Sequence, residues 1–389
     1  MIFSMLVTPR ALGRVDPESN RIRVIFLGEI KPQSFPFPAW IDYDPKFTLR
    51  GVPCDLEWFH EDQAKKAIRL YLPRTYGALT GDFDAIIFED FTPRVLPGGT
   101  LDMFQRAVEE EGLGIVLVEY VFWQQNLNNI EMWIASDFFR VLPAEPTIGM
   151  TTNTGRVYYE VLLEKPVFSI PDVSKWPMNV AQHAVMIPKD GASIHAIWKG
   201  RQTPAVVSRN YGKGRALQIA HGWDNIPQWT VRNYRFLPDL IYNEIFFVSD
   251  VEPPEDVIVA HGIRTGLINL NERKKSGIAL IDFVDSFGAD TGEIQNALLE
   301  LNSIVDLVEE EYVLSNYAGA MELISLAEAE FTDFERDVVD LKENALLWIY
   351  LIEWVTVTAV LMITLQILWT LMVRRRLYRE VGLTRGDRD

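Results

Sequence analysis

The chain has 389 residues, 48% of them hydrophobic and 23% charged, enough to build a packed core in two or three structural units and too apolar for a disordered chain. Its 37 basic and 54 acidic side chains leave a net charge of −17, which opposes nucleic-acid binding, a task that needs clustered Lys and Arg. A single cysteine, Cys54, excludes an intramolecular disulfide and a Cys-based zinc site.

The chain opens with Met1 to Val7, apolar but too short for the hydrophobic region of a signal peptide and with no basic residue before it. Arg21 to Gly28 reads as a buried strand, apolar in its second half and ended by glycine. A short helix or strand entry follows at Ala64–Tyr71, and a second buried strand at Asp84–Asp90 stops at two acids. Thr100–Glu111 places Leu101, Phe104, Ala107 and Val108 on one helical face, and Gly112 and Gly114 close it before a third strand, Gly114–Val118. Strand, helix and strand at this spacing predict a right-handed crossover and a parallel sheet. Later, Ala205–Arg209 and Ala216–Ala220 flank Gly212-Lys213-Gly214. That turn lacks Walker spacing and a following helix, so it predicts an antiparallel hairpin and not a phosphate loop.

The segments YLPRTYGALTGDFDAIIFEDFTP, FQRAVEEEGLGIVLVEYVFWQQ and YGKGRALQIAHGWDN together resemble the class I glutamine amidotransferase-like fold, in its trehalose-utilisation branch, over residues 21–245. The resemblance implies an α/β, flavodoxin-like domain with a parallel sheet. It also implies a nucleophilic cysteine on the turn after the third strand and a histidine late in the domain. Here that turn reads Glu119-Tyr120-Val121-Phe122-Trp123, so the nucleophile of a triad is missing and Cys54 lies far from the elbow in sequence. The expectation is a non-catalytic domain without a cofactor or a bound metal. His221, beside Gly222-Trp223-Asp224, is either a satisfied structural histidine or a pocket residue, and Glu119, Tyr120, Trp123, His221 and Asp224 form the candidate ligand site. The alternative is a hydrolase or carbohydrate-processing enzyme using His221 and nearby carboxylates. His60, His183, His195 and His261 show no paired spacing and are expected at the surface or in caps. Asp82, Asp84, Glu89 and Asp90 either hold a cation or terminate a strand and cap a turn. Tyr120, Phe122, Trp123 and Trp133 either pack the core or receive a sugar ring or a partner.

Val251-Glu252-Pro253-Pro254-Glu255-Asp256 reads as a domain boundary, which gives an α/β domain at 1–250 and a connector at 251–291. Residues 292–345 carry 14 acidic against 2 basic side chains and read as an acidic helical stalk. Its apolar stripe runs through Ile294, Leu298, Leu301, Val305 and Val308, then Leu323, Leu326, Ala327 and Phe331. Ser315-Asn316-Tyr317-Ala318-Gly319 divides the two helices. The stripe must bury against its partner helix, the globular domain, or another copy or membrane protein.

A transmembrane helix is expected at 346–373. Val355 to Val373 are 19 residues without a formal charge, long enough at about 1.5 Å each for a core of roughly 30 Å. Trp348, Tyr350, Trp354, Trp369 and Tyr378 stand at its edges as interfacial anchors, and its threonines can bond backbone carbonyls or a neighbouring helix. Arg374-Arg375-Arg376 stop the span. With Arg379, Arg385 and Arg388 they place the tail, 374–389, in the cytoplasm and residues 1–345 outside. Without an evident leader, three possibilities stay open: a signal lies outside the stated start, the anchor exports the domain, or the orientation is reversed. The expected product is a single-pass protein of the cell membrane whose partners are the bilayer, itself or another membrane protein, and not nucleic acid.

Overall fold

The computed structural model describes residues 14–30, 36–56, 58–118, 127–152, 155–180, 182–288 and 290–385. The chain divides into two compact units: Met1–Gly266 with Val308–Met321, and Leu267–Leu307 with Glu322–Asp389.

The first unit is built around one mixed sheet. Its strands are β1 (Ile22–Gly28), β2 (Phe47–Pro53), β3 (Ala85–Glu89), β4 (Gly114–Val118), β6 (Val157–Val161), β7 (Pro177–Asn179), β9 (Ser193–Trp198), β10 (Pro204–Tyr211) and β11 (Gly214–Ile219), ordered β2-β1-β3-β4-β11-β10-β9-β6-β7. β5 (Ala144–Thr152) and β8 (Gln182–Pro188) form a separate antiparallel pair. From β2 to β11 all neighbours are parallel, and from β11 to β7 all are antiparallel. The parallel crossover expected from the strand–helix–strand spacing is therefore present. The antiparallel half beyond the β10–β11 hairpin has no counterpart in the sequence reading.

β3 and β4 are buried along their whole length, and β1 nearly so, because helices cover both faces of the parallel half. Alternate residues serve opposite faces. Val24, Phe26, Ile87 and Val116 join one core cluster, and Ile25, Leu27, Ile86, Phe88, Ile115 and Leu117 join the other. The first cluster includes α1 (Phe37–Tyr43) and α7 (Leu237–Val248). The second includes α2 (Glu61–Tyr71) and α4 (Thr100–Glu111), so the segment at 64–71 is a helix, with His60 in its capping box. Short helices α3 (Tyr76–Asp82), α5 (Leu127–Ile134) and α6 (Gln228–Asn233) complete the unit. Gly212, at φ +57 in the β10–β11 turn, passes so close to α4 that a Cβ there would lie 2.4 Å from the Glu109 carbonyl oxygen.

The first unit does not end at residue 250. Helix α8 (Val257–Asp285) begins in it, and the end of α9 (Gly292–Val313) and the start of α10 (Tyr317–Arg385) return to it. The cause is a buried ion cluster. The Arg264 side chain, 6% exposed, forms ion pairs with Asp44, 2.6 Å from Nε, and with Asp239. The Tyr312 hydroxyl accepts from Arg264 Nε at 2.6 Å and donates to Asp44 at 3.0 Å. The Tyr242 ring covers the guanidinium at 4.6 Å, and His261 donates from Nδ1 to the other Asp239 oxygen at 2.8 Å. Beside it, Lys46 Nζ donates to the Val313 carbonyl and the Ser315 hydroxyl, both at 2.7 Å, and burial lowers its pKa to about 8.

The second unit is helical. Leu270, Ile281, Val284, Leu301, Val305, Ile324, Ala327, Phe331, Phe334 and Val338 are buried in it, so much of the stalk stripe is covered within a single chain. Arg273 makes a two-pronged ion pair with Glu335 at 2.7 and 2.9 Å. Leu299, Leu307 and Leu326 remain exposed.

Removing one partner of a buried ion cluster leaves an uncompensated charge, at a cost of about 3–5 kcal/mol. Arg264→Ala is therefore expected to lower the unfolding free energy of the first unit, read from urea titration, by that amount, whereas Arg273→Ala, on a half-exposed pair, costs about 1 kcal/mol or less. Equal losses in the two variants would refute the assignment of Arg264 as the tie.

Candidate functional site

The connections from β1 lead to β2 on one side, while β3 lies on the other, so the strand order reverses between β1 and β3. In open α/β sheets the crevice at such a reversal, outside the carboxyl ends of the strands, is where ligands bind. Here those ends carry Gly28-Glu29, Cys54-Asp55 and Glu89-Asp90. Gly28 is required by close approach, since a Cβ on it would lie 2.0 Å from the Glu89 carbonyl oxygen.

Glu89 is fully buried, and among the described residues neither of its carboxylate oxygens has a hydrogen-bond partner. Burial, then the negative charges of Asp224, Asp90, Glu29 and Asp55, hold its pKa well above the ordinary carboxylate value. Glu89 thus holds its proton more tightly than an ordinary carboxyl does, and Asp224 belongs to that electrostatic group. Asp84 does not share it. It sits just before the opposite end of β3, where it accepts from Arg23 N, Nε and Nη2 at 2.9 Å and from Arg14 Nε at 3.2 Å. The four acids noted in the sequence are therefore split between the two ends of one strand.

His221 has both ring nitrogens committed. The Gly222 carbonyl, 2.7 Å from Nδ1, can only accept, so Nδ1 carries the proton and the Tyr159 hydroxyl donates to Nε2 at 2.6 Å. Burial pushes its pKa down to about 4, so the ring is neutral. Trp198 packs at 5.4 Å from it and at 4.9 Å from His183. This is a filled aromatic core with no lone pair left for a metal or a substrate. Glu119, Tyr120 and Trp123 lie outside the described residues, as does Phe122. Trp133, grouped with them in the sequence, packs into the core against Phe88 at 5.7 Å. Cys54 is fully buried and its pKa is raised well above the ordinary thiol value, first by burial and then by Asp55, so it is held as an unreactive thiol. Among the described residues no group of three His, Cys, Asp or Glu is arranged to hold a metal ion. Two histidines expected at the surface or in caps, His183 and His195, are buried, because both lie on strands of the core.

One helix among the described residues is long and apolar enough to cross a membrane, and none of its most apolar stretch is buried. Trp354 is 73% exposed and Trp369 67%, and Arg374, Arg375 and Arg376 follow on the same helix. Thr356, Thr358, Thr364 and Thr370 each donate to the carbonyl four residues back, so their hydroxyls are satisfied inside the helix.

No family model matches the chain, and no curated protein matches it. Among solved structures it is similar to two cytoplasmic proteins of Salmonella typhimurium, each at 14% identity over 58% of this chain and 99% of theirs, with TM-scores of 0.46 and 0.47. It is also similar to a β-galactosidase from Bacillus circulans sp. alkalophilus, at 10% identity over 61% of this chain and 32% of that one, with a TM-score of 0.31. These likenesses are too distant to assign a family or an activity.

The raised pKa of Glu89 has a sign that can be checked. Below the ordinary carboxylate pKa both folded and unfolded states hold the proton. Above it the unfolded state loses the proton while the folded state keeps it, so stability falls as pH rises. Glu89→Gln removes that linkage and is expected to be more stable than wild type at pH 7, with the difference shrinking toward pH 4. Thermal unfolding at the two pH values measures it, and a variant less stable at pH 7 would mean that Glu89 is ionised and paired.

Proposed function

We propose that this chain is a single-pass membrane protein whose α/β domain acts by binding or assembly and not by catalysis. The observation that carries the reading is the wholly exposed apolar stretch of α10, which water would not tolerate and a bilayer would cover. The arginines after it and the acidic side chains before it support an orientation with the tail in the cytoplasm and the α/β domain at the cell surface. The order β2-β1-β3-β4-β11 over the parallel half follows the flavodoxin-like pattern and supports an amidotransferase-like domain that has lost its chemistry. A hydrolase built on His221 has less support, because both nitrogens of that ring are spent inside the core. The leucines left exposed on the helical unit, Leu299, Leu307 and Leu326, are the positions at which another copy or another membrane protein would meet it.

Truncation after Asn344 is expected to release folded protein into the soluble fraction. Truncated protein that stays with membranes after a high-salt wash would overturn the anchor. No ammonia is expected from glutamine, and alkylation of denatured and native protein should show Cys54 reacting only when the chain is unfolded. Ammonia release that is abolished by Cys54→Ala would restore a catalytic reading.

A further inference from the structure

We propose that the apolar stretch of α10 pairs side by side with the same stretch of a second copy of this chain, through hydrogen bonds between the two Gln366 amides. The inference rests on the membrane reading of α10 and adds to it the partner and the residue that selects it.

Between Val355 and Val373 the polar side chains are Thr356, Thr358, Thr364, Thr370, Gln366 and Trp369. The threonines are settled inside the helix, each donating to the carbonyl four residues back. Gln366 is exposed on the same helix, and its amide brings two N–H donors and an oxygen with two lone pairs. Its own helix has no donor to spare for that oxygen. The backbone N–H groups are spent on the carbonyls one turn back, and the threonine hydroxyls are spent likewise. At 1.5 Å per residue Gln366 stands about 12 Å along the helix from Arg374, deep in a core of roughly 30 Å. A glutamine is too short to reach the headgroups from there, and lipid chains offer neither donor nor acceptor. An amide at that depth is answered by another helix.

That helix comes from outside the described chain, which has one helix long and apolar enough to cross a membrane. An amide is its own complement, because the N–H of each can meet the oxygen of the other across a twofold axis. Two copies inserted in the same direction also hold Gln366 at the same depth, so the amides meet without any shift along the helices. A different protein would have to carry a polar group at that depth by its own design. The neighbouring surface fits a paired helix. Ile352, Ala359 and Val373 recur with Gln366 at seven-residue steps, the repeat of a two-helix seam, and Ala359 allows close approach one repeat away from the amide.

The test is energy transfer between full-length copies carrying donor or acceptor fluorophores after Asp389, reconstituted together in phosphatidylcholine vesicles and diluted with added lipid. Wild type is expected to show transfer that falls on dilution as a dimer dissociates. Gln366→Leu, which keeps the span apolar and helical, is expected to weaken association by about fivefold or more. Gln366→Asn, which keeps an amide at the same depth, is expected to retain most of it, and Leu368→Ala, on the opposite face, to leave it unchanged. Wild type that stays in the vesicles through a high-salt wash yet shows no transfer overturns the pairing and leaves the membrane reading intact. So does Gln366→Leu that associates as wild type does. Wild type washed out of the vesicles overturns both.

Discussion

A guanidinium cannot shed its proton to escape a dry environment, so burying Arg264 obliges the fold to bring carboxylates to it. Asp44 follows α1, Asp239 stands in the first turn of α7, and Tyr312 lies at the end of α9. Their convergence on one side chain makes the first unit discontinuous in sequence and holds α7, which covers a face of the parallel strands, to the helices that come after it. Such a cluster adds less net stability than apolar packing of the same volume would, but it tolerates no partial assembly. Its main contribution is to specify one arrangement of distant segments.

The two halves of the sheet invite different chemistry for a plain geometric reason. Parallel strands joined by helices are covered on both faces, so polar groups reach open space only at the strand ends. There this chain places a buried Glu89 among carboxylates and a buried Cys54. Antiparallel strands joined by short turns tolerate a local slip of pairing: the shift at Ala205 on β10 is undone at His195 on β9, and the ladder resumes its register.

Helix α10 presents two kinds of surface along one continuous run of hydrogen bonds. Toward its start Ile324, Ala327, Phe331, Phe334 and Val338 are buried at helical spacing, with acids on the opposite face. Beyond Leu346 the apolar residues occupy every face and none of the stretch is covered. A one-sided stripe is solved by packing on one side, whereas an all-round apolar surface needs cover on every side.

The elements legible in the sequence were those whose burial leaves a local period. Uninterrupted apolar runs marked β1, β3 and β4 to within a residue. The helical spacing of Phe104, Ala107 and Val108 marked α4, a glycine turn marked the β10–β11 hairpin, and a charge-free run marked the apolar part of α10. That residues 119–123, after β4, hold no cysteine or serine was also a matter of sequence alone. Tertiary structure decided what depends on polar groups meeting across long separations. Asp44, Asp239, Arg264 and Tyr312 have no common spacing, so the boundary drawn at residue 250 stopped short of the first unit. Nothing near His195 announces that two neighbours on β10 will face residues two apart on β9. Hydrophobic burial is a property each segment carries with it, whereas the partner of a buried charge or of an off-register residue is set only once the strands and helices have chosen their neighbours.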